Sequence, residues 1–325
     1  MAIMTLNPRL KDLAKDIFYY SGLSRMLLSF SCYRRHPKFL ILTYHKVCPS
    51  SRSDGYLGIP EDVFEQHVKF IKDNFKTVSM QDGLKALYEG GSSDIYATIN
   101  FDDGYMDNYL YAYPVLKKYK VPATVFLTTD FVGKAHIFWW DKVFMIIPSS
   151  DTNGIDKIQE AERINFSLRT KSEREIQAVI RKLEERFQPQ GKIEPVLMLG
   201  WKEIKEMKAN GIDFGAHTKT HRNLCMLNDD EALEELIGSK KEIEENIFEE
   251  IKGFSYPFGI FDERVKGLVR KAGFEYARST LKGFNHKNAD RFLLTSIGGG
   301  ALLKTSFLAA RISIDSLKPD REIYR

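Results

Sequence analysis

The stretch Tyr96-Ala-Thr-Ile-Asn-Phe-Asp-Asp-Gly104 reads as a strand over Tyr96–Phe101 that stops on two carboxylates and a glycine. Consecutive strand residues point to opposite faces, so Asp102 and Asp103 can serve one site only where the strand has ended. Gly104 supplies the backbone freedom for that turn. Two carboxylates then allow a division of labour, one holding a metal and one taking a proton. Asp-Asp-Gly is also an ordinary turn, so the rest of the chain must decide between the two readings.

Working outward, short apolar runs alternate with amphipathic helices. Phe39–Thr43 is of strand length and stops at Tyr44-His45-Lys46. Pro60 opens a helix with Phe64, Val68, Ile71 and Phe75 on one face; His67 beside that face is an ordinary packed or surface histidine. Tyr111–Tyr119, Asp229–Phe248 and Asp262–Lys271 read as helices. Ala123–Thr128, Ile212–Ala216, Ile251–Tyr256, Phe274–Ser279 and Phe292–Ile297 read as strands. This rhythm predicts a parallel sheet with helices outside it, either a barrel or an open doubly wound sheet. The segment 131–198 breaks the rhythm. Ser172 and Glu175 form a capping-box pattern, followed by one apolar stripe of Ile176, Val179, Ile180, Leu183 and Phe187. It is expected to be an inserted helical cap within a barrel spanning 37–325, with 1–36 as a helical segment ahead of it.

Two further motifs fall at the ends of strands, where reacting groups gather in a parallel α/β barrel. In His217-Thr-Lys-Thr-His221, two histidines four apart can converge on one metal. Thr218 stands where a zinc protease would carry its glutamate base, so the base must come from elsewhere, and Asp102 is available. In Phe254-Ser-Tyr-Pro-Phe-Gly259, Pro257 and Gly259 bracket a turn whose backbone N–H groups suit an oxyanion.

Taken in this order, the three motifs resemble those of the NodB-homology polysaccharide deacetylases, carbohydrate esterase family 4, over roughly Phe39 to Gly298. Leu42-Thr-Tyr-His-Lys-Val47 and Phe138-Trp-Trp-Asp141 are similar to one branch of that family. The resemblance implies a distorted (β/α) barrel and one divalent metal, commonly zinc. By position, Asp103, His217 and His221 would hold the metal, Asp102 would be the general base, and the N–H of Phe258 would steady the oxyanion. Two departures stand out. Ser255 replaces the arginine that orients the base in many members, which leaves Arg278 and Arg291, on late strands, as candidates for that task. No histidine follows His286, so the family's late acid is missing, and His286, His45 or a water is left to supply the proton. His45 follows the first strand and should reach the rim; Trp139 and Trp140 suit either a sugar face or the core.

Composition bounds the rest. The 325 residues are 43% hydrophobic, enough for a full core. The 48 basic and 44 acidic residues leave a net charge of +4, without the concentrated basic face a nucleic-acid binder needs. Cys32, Cys48 and Cys225 form no CxxC pair and suit a reducing compartment. Lys11, Asp12, Lys15 and Asp16 interrupt the apolar run a signal peptide would need. The expectation is a cytoplasmic protein acting on an N-acetylated saccharide in a polysaccharide or lipid-linked precursor. Leu10, Leu13, Ile17 and Phe18, then Leu23, Met26 and Leu27 after Gly22, make 1–31 an amphipathic segment. It either packs on the barrel or lies on the inner membrane face. Rival readings are O-acetyl or imide hydrolysis on the same site, and a catalytically silent glycan-binding relative.

Overall fold

A computed structural model describes residues 8–31, 37–50, 58–90, 93–147, 157–189, 193–300 and 304–317. Cys32, His36 and the first seven residues of the amphipathic segment lie outside them. One parallel sheet organises the chain. Its strands are β1 (Lys38–Tyr44), β2 (Lys76–Thr77), β3 (Ile95–Phe101), β4 (Ala123–Leu127), β5 (Ile212–Ala216), β6 (Gly253–Ser255), β7 (Tyr276–Arg278) and β8 (Ile297–Gly298). The order is β7-β6-β5-β4-β3-β1-β8, with β2 paired to β3. Every residue of β1 is buried, as is all of β3 except Tyr96, because a parallel sheet is covered on both faces. Leu294, leading into β8, bridges Arg278 of β7, so the sheet curls toward closure as a distorted (β/α) barrel.

The late strands are shorter than their apolar runs. Only Gly253–Ser255, Tyr276–Arg278 and Ile297–Gly298 ladder, because the curling sheet leaves few consecutive positions paired at this side. The helix expected from Tyr111 begins earlier, as a π turn over Asn108–Ala112 ahead of α5 (Tyr113–Tyr119). Pro114 lacks the N–H that would satisfy the carbonyl of Leu110, and the wider turn accommodates that loss. His67 is packed, fully buried in α3 (Glu61–Asn74) against the hydroxyl of Tyr44 at 3.1 Å.

Between β4 and β5 the chain leaves the sheet as α6 (Trp139–Ile146), α7 (Lys157–Leu168) and α8 (Glu173–Phe187). These share their own apolar cluster, including Trp140, Val143, Ile164, Ile176, Ile180 and Leu183. A two-residue antiparallel pair, Ala135–His136 with Val196–Leu197, ties the base of the excursion. At the N-terminus, α1 (Pro8–Tyr20) and α2 (Leu23–Ser31) pack on α12 (Thr305–Ser316). The packing of α1 is inverted. Asp16 accepts from Ser306 Oγ at 2.5 Å and Lys15 lies over the Phe307 ring, while Leu10, Leu13, Ile17 and Tyr20 are more than half exposed.

Candidate active site

Register brings the site together. Tyr44 is level with Phe101, and Leu127 with Ala216, so the residues that follow all emerge at one rim. Asp102 keeps one ladder bond, its N–H donating to Tyr44 O at 3.1 Å. Asp103 (φ 73°) and Gly104 (φ 82°) then turn left-handed, which swings the second carboxylate to the side of the first. Among the described residues, seven non-glycine positions have positive φ. Lys120, Gln188 and Phe248 are helix C-caps, where this conformation is routine. Of the other four, Asp103, His221 and Phe258 line the cavity at the rim, and Thr218 lies in the histidine loop between the cavity-lining His217 and His221. Strain held at one place by an otherwise relaxed fold marks a site.

The histidine loop is clamped from below. Glu235 of α10 (Asp229–Ile247), itself buried, accepts from the N–H of Lys219 (2.8 Å) and of Thr220 (2.9 Å) and from Thr220 Oγ1 (2.5 Å). Thr218 Oγ1 accepts from His221 N–H at 2.9 Å. His217 Nδ1 lies 2.6 Å from the carbonyl of Ser255, an acceptor only, so Nδ1 carries the proton and Nε2 keeps its lone pair. That Nε2 is 3.5 Å from Asp103 Oδ1, and His221 Nε2 is 3.3 Å from the same oxygen.

Asp103 is 2% exposed, yet neither of its oxygens has a hydrogen-bond partner. Buried carboxylates do not stay unpaired without cost. One ligand atom from each of Asp103, His217 and His221 lies within 4.8 Å of the others, so a divalent cation fits, bound by one oxygen and two imidazole nitrogens. Burial pushes Asp103 up to about 6 and His217 and His221 down to about 4 and about 3. A cation at their centre would offset those penalties by favouring the carboxylate and accepting the neutral imidazoles.

Asp102 is held differently. Burial alone would raise its pKa, but the guanidinium of Arg278, by its charge and its hydrogen bonds, outweighs it and holds the carboxyl well below the usual range. Arg278 Nη2 donates to both Asp102 oxygens and, at 2.7 Å, to Ser255 Oγ. The arginine missing at position 255 is thus supplied from the neighbouring strand: Ser255 and Arg278 are paired in register, and the small serine leaves room for the guanidinium. Arg278 is 1% exposed; Arg291 instead lies over the Tyr88 ring.

His45 Nε2 stands 3.9 Å from Asp102 Oδ2 and lines the cavity above the rim. His286 does not join it, which corrects the expectation that it could act as the acid. Its neighbour Asn285 exchanges both backbone hydrogen bonds with Phe39, at the start of β1, so His286 sits by the opposite end of the strand from His45. Phe258, with φ 59°, places its ring 4.5 Å from that of His221. Gly259 follows at φ 69°, and any Cβ there would meet Thr280 Oγ1 at 2.1 Å. The excursion supplies the far wall: Trp139 and Trp140 from α6, with Asn165 and Arg169 from α7 and its end. Neither Asn165 nor Arg169 carried any motif signal, nor did Glu235.

Residues 89–277 match the family described as polysaccharide deacetylase. The poly-beta-1,6-N-acetyl-D-glucosamine N-deacetylase of Staphylococcus aureus (strain MRSA252) is 24% identical over 264 residues, covering 74% of this chain and 71% of that protein. Among solved structures, IcaB from Ammonifex degensii superposes with a TM-score of 0.60 at 19% identity, covering 87% of this chain and 100% of that one. The Streptococcus pyogenes deacetylase PplD in complex with acetate gives a TM-score of 0.59 at 19% identity, covering 85% and 98%.

Proposed function

The chain belongs to the polysaccharide deacetylase family, and from that premise we propose that it hydrolyses the N-acetyl group of a hexosamine in a polysaccharide or lipid-linked glycan precursor. The observation that carries this reading is the contrast at the rim. One buried carboxylate is left without a hydrogen bond between two imidazoles, and its neighbour is clamped by an arginine.

An amide resists water near neutral pH, so both nucleophile and carbonyl need help. Asp103, His217 and His221 would hold a divalent cation, zinc by the preference of this donor set. When bound, such a cation supplies Lewis acidity, making water nucleophilic near neutral pH and polarising the carbonyl. Asp102 takes the proton from the attacking water; Arg278 keeps it ionised and fixes its direction. The N–H of Phe258, turned by the left-handed backbone, donates to the developing oxyanion. A C–O bond forms, the C–N bond breaks, and the leaving nitrogen takes a proton. Burial lowers the pKa of His45, so it rests neutral, and at 3.9 Å from Asp102 it is the group placed to relay that proton onward. Trp139, half-buried at the cavity wall, offers a face on which a sugar ring can stack, with the buried Trp140 behind it.

The test is metal content measured beside acetate release, on a panel of β-1,6-linked N-acetylglucosamine oligomers, other N-acetylated oligosaccharides, lipid-linked sugars and O-acetyl esters. Acetate from N-acetylated members supports the reading. Release from esters alone, or from none with metal loaded, overturns it.

For location, we propose a cytoplasmic protein that can bind peripherally at the inner membrane face. No helix among the described residues is long and apolar enough to cross a membrane. The outward stripe of Leu10, Leu13, Ile17 and Tyr20, flanked by exposed Lys11 and Arg25, supports surface contact. Co-sedimentation with anionic but not neutral vesicles is expected; equal recovery with both would reject it.

A further inference from the structure

Two motifs are left over once the metal cluster and base are accounted for: the lysine of Leu42–Val47 and the aspartate of Phe138–Asp141. They meet. Lys46 Nζ donates to Asp141 Oδ1 at 2.5 Å, and both side chains are almost wholly buried, at 10% and 1% exposure. The pair joins the segment that leaves β1 to α6 of the excursion, 95 residues apart in sequence. The other oxygen of Asp141 accepts from Tyr105 OH at 2.8 Å, and Tyr105 OH in turn accepts from Trp140 Nε1 at 3.2 Å. Lys46 also sits over the Tyr105 ring, 4.3 Å from its centroid. At the end of this chain the indole of Trp140 lies 4.5 Å from the ring of His221.

A buried ion pair is poor evidence of stability, because desolvating two charges costs about as much as their attraction returns. What such a pair does well is fix one arrangement among several. Phe138 and Trp140 stack with centroids 4.4 Å apart, an apolar contact that does not by itself fix how the pair seats on the rim. The polar chain admits only the seating in which every donor finds its acceptor.

We propose that Lys46 and Asp141 are positioning residues: through Tyr105 they lock Trp140 against the metal-ligand side of the cavity, and so set the wall that substrate meets. Neither lines the cavity, so neither touches substrate. The inference rests on the deacetylase reading for its kinetic arm, but not for its structural one.

The test uses two variants. Lys46→Met/Asp141→Leu removes both charges at similar volume. Tyr105→Phe leaves the Lys46–Asp141 ion pair and removes the hydroxyl through which Asp141 reaches Trp140. Each is made in the full chain and, with Trp139 and Trp201 replaced by Phe, in a form where Trp140 alone fluoresces. Both variants are expected to melt near the wild type and to bind zinc at unchanged stoichiometry. Acrylamide quenching of Trp140 should rise severalfold. Acetate release should show KM raised by about tenfold with kcat nearly kept, within the roughly hundredfold that a displacement of about 1 Å can cost. Should Trp140 stay shielded in Tyr105→Phe, or KM stay at the wild-type value in both folded variants, the proposal fails. If the double variant does not fold, Tyr105→Phe decides alone. A wild type that releases no acetate from any substrate would sink the functional reading, while the quenching result would still decide this one.

Discussion

The rim and the excursion of 131–198 are built by opposite means. At the rim, two carboxylates, two imidazoles and a guanidinium are buried side by side, and four non-glycine residues take left-handed backbone. The excursion is an ordinary helical packing. Ile176, Ile180 and Leu183 face inward, Ser172 caps its helix, and its charges other than the buried Asp141 pair at the surface, as Lys171 with Glu175 and Lys142 with Glu184. The rim therefore holds chemistry at the expense of stability, and the excursion supplies shape from local order. Substitutions should separate the two.

The largest effect is expected at the two aspartates. Asp103→Asn should lose the metal and all measurable activity, because an uncharged amide is a far poorer ligand for a dication than a carboxylate. Yet it should melt no lower than the metal-free wild type, since a buried carboxylate without hydrogen bonds has been replaced by a neutral group. Asp102→Asn should keep the metal and lose roughly 10²–10⁴-fold in kcat, the typical share of a positioned base. Metal content, melting with and without chelator, and acetate release check all three statements. Metal retained in Asp103→Asn and lost in Asp102→Asn would reverse the roles.

Arg278 comes next. Arg278→Met leaves Asp102 buried without its partner, and breaking a buried pair this way typically costs about 3–5 kcal/mol. Denaturant unfolding should show that loss, and Arg278→Met/Asp102→Asn should recover much of it without recovering turnover. Arg278→Lys should restore little activity, because a single, more strongly hydrated ammonium lacks the second nitrogen with which the guanidinium also holds Ser279 O and Ser296 Oγ. Full activity in Arg278→Met would show that Asp102 needs no such clamp.

How much of this was legible in the chain follows the same division. The gathering of Asp103, His217 and His221 was, because strand ends and an i, i+4 histidine pair are local patterns, and the register of parallel strands then has little choice but to gather them. The helical stripe and capping box of α8 were legible for the same reason. The contacts that orient the site were not. Glu235 sits in a helix that reads as charged surface, and Lys46 with Asp141 joins positions 95 residues apart. Arg278 was visible only as a basic residue on a late strand, and the exchange with Ser255 needs the register of β6 and β7 to be understood. His286 went astray because a loop's composition does not say which end of a strand it adjoins. The stripe on α1 could be recognised, but not that its polar side would turn inward.

The smallest effect, and the one that sharpens the comparison most, is Ser172→Ala. Ser172 Oγ accepts from Glu175 N–H at 3.3 Å, and Glu175 Oε2 accepts from Ser172 N–H at 2.9 Å, which closes a reciprocal box at the start of α8. Loss of such a cap costs about 1 kcal/mol. If the excursion orders itself locally, that cost should appear as faster hydrogen exchange confined to α6, α7 and α8, with rim amides such as that of His217 unchanged. Metal stoichiometry should stay the same. The difference should also depend on pH. The hydrogen bonds from Ser172 draw the Glu175 carboxyl down from the usual 4.5 to about 2. A depressed carboxyl stabilises fully above its unfolded value and loses that contribution as pH falls through its folded value, so Glu175's share is complete at neutral pH and fades between about 4.5 and about 2. Exchange that spreads equally to the strands of the sheet would mean the excursion and the rim unfold as one unit, and the division drawn between them would not hold.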